Sequence, residues 1–191
     1  MIPLPLLLDG YREGYFPMAL EDGEIGWFSP DPRGVLPLDE SGFRVPHGLR
    51  RTLKHQPFEM RVDTAFRTVM EYCAARDETW INSVILESYC VMHAAGHAHS
   101  VEAWQDGELV GGLYGVAIGS AFFGESMFHS VTDASKVALV FLVQRLRERG
   151  YQLLDLQWTT PHLCTFGAVN IPRQEYLERL ANALRYRCVF G

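Results

Sequence analysis

The chain has 191 residues, of which 48% are apolar and 21% charged, so it can bury a sizeable core and is not disordered. No apolar run reaches membrane-spanning length, the opening MIPLPLLLDG lacks a basic flank and is broken by Asp9, and four scattered cysteines show no paired spacing; these features exclude a membrane span, a secretory leader and a disulfide framework, and point to the cytoplasm. A net charge of −6 argues weakly against a nucleic-acid binder, but local charge matters more than the average.

In chain order, Leu6 to Phe16 reads as a short helix, followed by turns and short strands around Gly26, Pro30, Pro32, Gly34 and Pro37. The first forty residues hold eight acids and two bases; residues 41–61 reverse this with Arg44, Arg50, Arg51, Lys54 and Arg61 against Glu59. That basic stretch fits either a phosphate-binding surface or a solvated linker helix, and charge alone favours the linker. Phe58–Val62 alternates like a strand. Asp63 or Thr64 is positioned to cap a helix reaching about Ala75, and Asn82 or Ser83 a second one stopped by Gly96. Ser100–Gln105 and Glu108–Val116 flank Asp106-Gly107, a two-residue hairpin signal. Ala121–Phe128 follows as a strand, Asp133 or Ser135 begins a long helix ending at Gly150, Leu153–Gln157 is an apolar strand, and Arg173–Ala183 a terminal helix.

This order is an α+β layout around one mixed sheet with flanking helices, and matches the acetyltransferase-like (GNAT) order. We expect a small N-terminal domain with its basic linker over residues 1–55 and a GNAT-like catalytic domain over 56–191. Acyl-CoA enzymes of that fold place a glycine-rich loop ahead of the long helix. Here Phe128–Ala134 has no glycine, and Asp133 would repel a pyrophosphate, which disfavours coenzyme A.

Several runs carry a specific resemblance. They include Gly14-Tyr15-Phe16-Pro17-Met18, Trp27 through Arg33, Thr79-Trp80-Ile81, Gly96 through Trp104 and Leu109 through Val116. Phe123-Gly124-Glu125-Ser126-Met127-Phe128, Asp133-Ala134-Ser135-Lys136, Asp155-Leu156-Gln157 and Phe166-Gly167-Ala168 continue the series. In one order over nearly the whole chain, they resemble the leucyl/phenylalanyl-tRNA–protein transferases. The resemblance implies transfer of Leu or Phe, and less readily Met, from aminoacyl-tRNA to proteins with N-terminal Arg or Lys, marking them for N-end-rule degradation. It implies neither metal nor coenzyme.

The residues fit that chemistry. Aminolysis of an ester needs orientation and proton handling rather than a covalent intermediate. Asp155 and Gln157, two apart on a strand, share a face. They read equally well as a strand-end pair or as a reaction centre, and the resemblance assigns them to the reaction. Glu125 stands in an apolar strand, where a carboxylate is costly unless paired; salt bridging is the usual answer, and the resemblance supports recognition of the acceptor's amine. Leu113, Val116, Phe123, Met127, Phe141 and Leu154 are candidates for the donor side-chain pocket, shaped by Gly111, Gly112, Gly115 and Gly124; each alone also reads as core. Trp27, Phe28 and Trp104 offer faces for the terminal adenosine, with Phe28 standing where the family often has a second tryptophan. Arg50, Arg51 and Lys54 offer sequence-independent phosphate contacts.

Other readings are weaker. His93, His97 and His99 lack a completing metal ligand set, and Cys164 beside His162 lacks a third member for a thiol hydrolase. A non-catalytic tRNA-binding module and another tRNA-dependent peptidyl or aminoacyl ligase are the alternatives on the same fold.

Overall fold

The computed structural model describes residues 1–75 and 79–191. In chain order its elements are α1 (Leu4–Arg12), β1 (Phe16–Ala19), β2 (Ile25–Phe28), β3 (Arg33–Val35), α2 (His47–His55), β4 (Glu59–Val62), α3 (Phe66–Ala74), α4 (Ser83–Ala94), β5 (Ala98–Gln105), β6 (Glu108–Ile118) and β7 (Ala121–His129). Then come α5 (Ala134–Glu148), β8 (Leu153–Gln157), α6 (Pro161–Cys164), β9 (Val169–Ile171) and α7 (Arg173–Ala183). The long helix and the strands around it fall where periodicity puts them. The first helix ends earlier, at Arg12, because Gly14 turns with φ 83° and Phe16 opens a strand. The short α6 and β9 carry too few residues for a periodic signal.

Seven strands form one mixed sheet in the order β4-β5-β6-β7-β8-β3-β9, while β1 and β2 make a separate hairpin. Strands β4 to β7 are antiparallel neighbours; β7 and β8 run parallel on either side of α5, the acetyltransferase-like arrangement the element order predicts. Asp106 and Gly107 turn with φ of 52° and 82°, the pair of positive values that a type I′ hairpin requires. Strand β3, from the segment expected to form an N-terminal domain, is hydrogen-bonded between β8 and β9 in the large sheet.

Alternating side chains build two cores. Tyr114, Val116 and Phe123 point into a layer filled by α1, α3, α4 and α7, while Leu113, Phe122 and Leu154 meet α5 and Leu49 of α2 on the other face. Among the described residues no helix is long and apolar enough to cross a membrane.

Two helix starts differ from expectation. Asn82 does cap α4, accepting from the Ile85 amide at 2.9 Å. Asp63 and Thr64 do not cap α3. Instead Glu102 reaches across from β5 and accepts from the Thr64 and Ala65 amides at 2.9 and 2.7 Å. Asp133 sits before α5 with φ 68° and gives its carboxylate to Thr52 and Lys136 rather than to the helix amides.

Candidate active site

Glu125 owes its setting to a break in the β6–β7 ladder. Tyr114 pairs with Ser126 and Gly115 with Gly124, so Glu125 is the extra residue of a bulge. Bulges re-aim side chains, and here the bulge turns a carboxylate toward the gap beside β7. That gap exists because β8 pairs with β7 only from Leu153 to Asp155. Beyond this point the strands part, and Gln157 leaves extended geometry with φ 59°.

Asp155 closes the gap from below. It is fully buried and accepts four hydrogen bonds: Arg33 Nε and the Gln157 amide on Oδ1 at 2.9 Å each, and Arg33 Nη2 and Tyr176 Oη on Oδ2 at 2.6 and 2.9 Å. Arg33 also donates to Gly14 O at 2.9 Å and lies over the rings of Phe16 and Tyr176 at 5.0 and 4.3 Å. Burial alone would lower its pKa, but the bonds and charge of Asp155 raise it. The pair therefore holds one positive and one negative charge in a dry interior, with every strong partner supplied.

Glu125 is held more loosely. Tyr11 Oη donates to its Oε1 at 2.7 Å, and Tyr11 in turn meets the Tyr89 hydroxyl. Gln157 Nε2 donates to the same Oε1 at 3.3 Å. Burial pushes the Glu125 carboxyl up to about 8, against the Tyr11 hydrogen bond and with the help of the Asp155 charge. Glu125 thus titrates near the pH of the cell, a condition suited to proton transfer. Burial beside it drives both tyrosine pKa values well above 10, so Tyr11 and Tyr89 stay protonated.

The gap opens into an apolar cavity of about 330 Å³. Leu113, Gly124, Met127 and Leu154 border it as expected, and Leu139 and Leu142 of α5 complete its floor. Val116 and Phe123 do not border it. Three residues from Leu113, Val116 faces the opposite side of β6, and Phe123 packs at 4.9 Å against Tyr11 in the other core. Phe141 is also off the lining, because Leu139 and Leu142 take the i, i+3 stripe of α5 that faces the cavity. Of the close glycines only Gly124 borders the space; Gly111, Gly112 and Gly115 press on α5, Val101 O and Phe122 instead.

The cavity also borders aromatic residues that sequence reasoning did not assign, buried Phe16, half-buried Trp80 and exposed Trp158, together with Met18. Trp158 is 46% exposed and meets Phe16 edge-on at 5.2 Å. Trp80, Phe16 and Arg33 all lie in the runs that carry the resemblance, which was the available signal. Phe28 stacks behind Phe16 at 6.3 Å, and Trp27 lies against Gly10 of α1, so neither borders the cavity. Trp104 lines a separate groove of about 1180 Å³, fixed by its Nε1 bond to Glu102 at 3.1 Å and by Arg61 at 4.4 Å over its ring. Arg50, Arg51 and Lys54 stand exposed on α2, outside any ion pair among the described residues. His93 stacks on Phe66 and bonds Ala98 O, and His99 bonds Asp63, which are structural roles. Cys164 is exposed, whereas His162 borders both cavity and groove.

Comparison with known proteins bears on this site. Residues 35–181 match the family model described as leucyl/phenylalanyl-tRNA protein transferase, and residues 2–31 match that of its N-terminal domain. The chain is similar to a leucyl/phenylalanyl-tRNA–protein transferase of Herpetosiphon aurantiacus, 58% identical over 97% of this chain and 96% of the relative. Relatives of the same name from Akkermansia muciniphila and Paramagnetospirillum magneticum are each 55% identical over 94% of this chain and cover 94% and 88% of their own lengths.

Proposed function

The chain belongs to the leucyl/phenylalanyl-tRNA–protein transferase family and is an aminoacyltransferase using aminoacyl-tRNA and a protein acceptor, and from that premise we propose that it moves Leu or Phe, less readily Met, onto N-terminal Arg or Lys. The modified protein would enter N-end-rule degradation in the cytoplasm. The observation that carries this reading is the meeting of an apolar cavity with Glu125 and Gln157 at a strand splay.

The donor side chain enters the cavity among Leu113, Leu139, Leu142 and Leu154, which excludes water from the ester beside it. Trp80 and Trp158 offer stacking faces to the terminal adenosine beside the cavity, worth about 1–3 kcal/mol per stacked base. The exposed Arg50, Arg51 and Lys54 suit more distant phosphates.

The acceptor arrives largely as an ammonium, since α-amines titrate near ~8. The ionised fraction of Glu125, whose carboxyl burial pushes up to about 8, takes one proton from it. Gln157 spends its Nε2 on Glu125, leaving Oε1 to orient the neutral amine. The nitrogen attacks the ester carbonyl carbon, the bond to the ribose oxygen breaks, and the second nitrogen proton passes to that oxygen. Four donors on Asp155 support a positioning role: it fixes the Gln157 backbone rather than receiving a proton.

The test is incubation with labelled Leu-tRNA and a peptide beginning with Arg, against one beginning with Ala. Label on the Arg peptide alone is expected. No label on it would refute the proposal.

A further inference from the structure

The proposed transfer takes two protons off the attacking nitrogen, and Glu125 accounts for one of them. The second must leave as the amide forms and must reach the ribose oxygen as the ester bond breaks. Among the described residues that border the cavity, two side chains are of the kinds that exchange protons in the range between mild acid and neutral pH: the Glu125 carboxyl and the His162 imidazole. Tyr114 borders it too, but a phenol ordinarily titrates near ~10.

We propose that His162 is a further catalytic residue, carrying the remaining proton from the attacking nitrogen to the departing ribose oxygen. This role rests on the function proposed above and names the carrier of that proton.

The fold places the imidazole for such work. His162 lies in α6, which starts four residues past Gln157 and follows directly on Thr160. Thr160 Oγ1 accepts from the Leu163 amide at 3.2 Å, and the His162 carbonyl accepts from Thr165 Oγ1 at 2.6 Å, so the short helix is pinned at both ends. The ring meets buried Phe166 edge-to-face at 5.4 Å. These contacts hold the side chain without using its nitrogens. His93, His99 and His129 commit a ring nitrogen to Ala98 O, Asp63 and Ser135, whereas neither nitrogen of His162 has a hydrogen-bond partner among the described residues. A half-buried imidazole on a cavity wall with both nitrogens uncommitted is equipped to meet a visitor.

The surroundings push the two groups in opposite directions. Burial raises the Glu125 carboxyl to about 8, while burial, then Lys136 of α5 and His129 of β7, hold His162 below its ordinary 6.5. The other ionisable side chains of the neighbouring groove, among the described residues, are Tyr72 and Glu108. Opposed shifts on two groups that border one space mark a division of acid and base roles. An imidazole kept neutral has a lone pair for the positively charged nitrogen of the tetrahedral adduct. Once protonated it is a stronger acid than an alkylammonium, so it gives the proton up readily to an alkoxide.

The steps then balance. Glu125 takes one proton from the acceptor ammonium, and the neutral amine adds to the ester carbonyl carbon. His162 takes a proton from the nitrogen, which is now positively charged. As the carbonyl re-forms, the bond to the ribose oxygen breaks with its electron pair on oxygen, and His162 hands its proton to that oxygen. His162 ends neutral, and Glu125 releases its proton to solvent.

The experiment follows transfer from Leu-tRNA to a peptide beginning with Arg in the full-length protein, as a single-turnover rate at saturation and as KM. In the wild type the logarithm of the rate should fall with slope one below pH about 8, where Glu125 gains its proton, and with slope two once His162 ionises below 6.5. His162→Gln should be slower by ~10²-fold or more at neutral pH, with the KM of both substrates within about two-fold, and should keep slope one throughout. His162→Ala should be slowed likewise, and added imidazole should raise its rate about five-fold or more. A His162→Gln rate within about three-fold of wild type overturns the role. So does a loss confined to KM, a slowed His162→Gln that keeps the second break in slope, or a His162→Ala that imidazole does not restore, since a purely structural histidine would behave in those ways. A wild type that leaves the Arg peptide unlabelled counts against the function itself, and the role of His162 falls with it.

Discussion

Arg33 of β3 and Asp155 of β8 form a two-point ion pair, 122 residues apart in sequence, with neither side chain exposed. Removing one partner strands the other charge in the interior. Arg33→Ala and Asp155→Ala should each cost about 3–5 kcal/mol in urea unfolding. Asp155→Asn should also lose stability, since it leaves the guanidinium uncompensated. The pair Arg33→Met with Asp155→Leu should recover much of the stability but not the transfer rate. Recovery of both would show that the ion pair has no part in placing Gln157.

Glu125→Gln keeps size and removes the titration. Transfer should fall by ~10²–10⁴-fold, the usual weight of a proton acceptor, with a native circular dichroism spectrum. The pH dependence of stability has a definite sign. The folded carboxyl titrates at about 8 against an ordinary 4.5, so the folded state holds a proton that the unfolded chain has released between those values. Its stabilising contribution is present below about 4.5 and is lost as pH rises to about 8. The wild-type Tm should therefore fall relative to Glu125→Gln across that window. A constant gap between the two curves contradicts the raised pKa.

Leu142→Phe should narrow the cavity floor. With the space at about 330 Å³, the larger donor side chain suffers first, and the Leu over Phe preference in a competition of the two charged tRNAs should rise by roughly 1–3 kcal/mol equivalent per displaced methylene. An unchanged ratio would place donor selection elsewhere.

Gly34→Ala tests the seat of the reactive turn. A Cβ there would stand 2.6 Å from the Trp158 carbonyl carbon and 2.8 Å from the Thr159 amide nitrogen, both backbone. The end of β8 must move, carrying Gln157 with it. Transfer should drop at least ~10-fold and stability by about 1–3 kcal/mol. Gly48→Ala on α2 meets nothing within 4 Å and should be neutral or slightly stabilising, which serves as the control.

The sheet was legible because its strands alternate and its hairpin carries Asp106-Gly107. The site was legible in part. Glu125, Asp155 and Gln157 stand out as polar residues in apolar strands, and they do converge. Their partners were not visible: Arg33 and Tyr11 reach the site only because β3 and α1 pack against distant strands, a pairing no local pattern encodes. Val116, Phe123 and Phe141 do not border the cavity, and an apolar residue near a site looks the same in sequence whether it faces a cavity or a core. The bulge at Glu125 and the turn at Gln157 shift that register, and a strict period of two cannot anticipate either.

Strand β3 occupies the slot between β8 and β9, yet it is translated more than a hundred residues before them. The first-made part of the sheet is therefore among the last to find its place. Until Leu153–Ile171 has left the ribosome, Arg33 has no carboxylate to meet and the N-terminal segment has no sheet to join. Such long-range closure slows folding relative to local contacts, so a nascent chain stalled before residue 153 would hold β4 to β7 and α5 without a competent reaction centre.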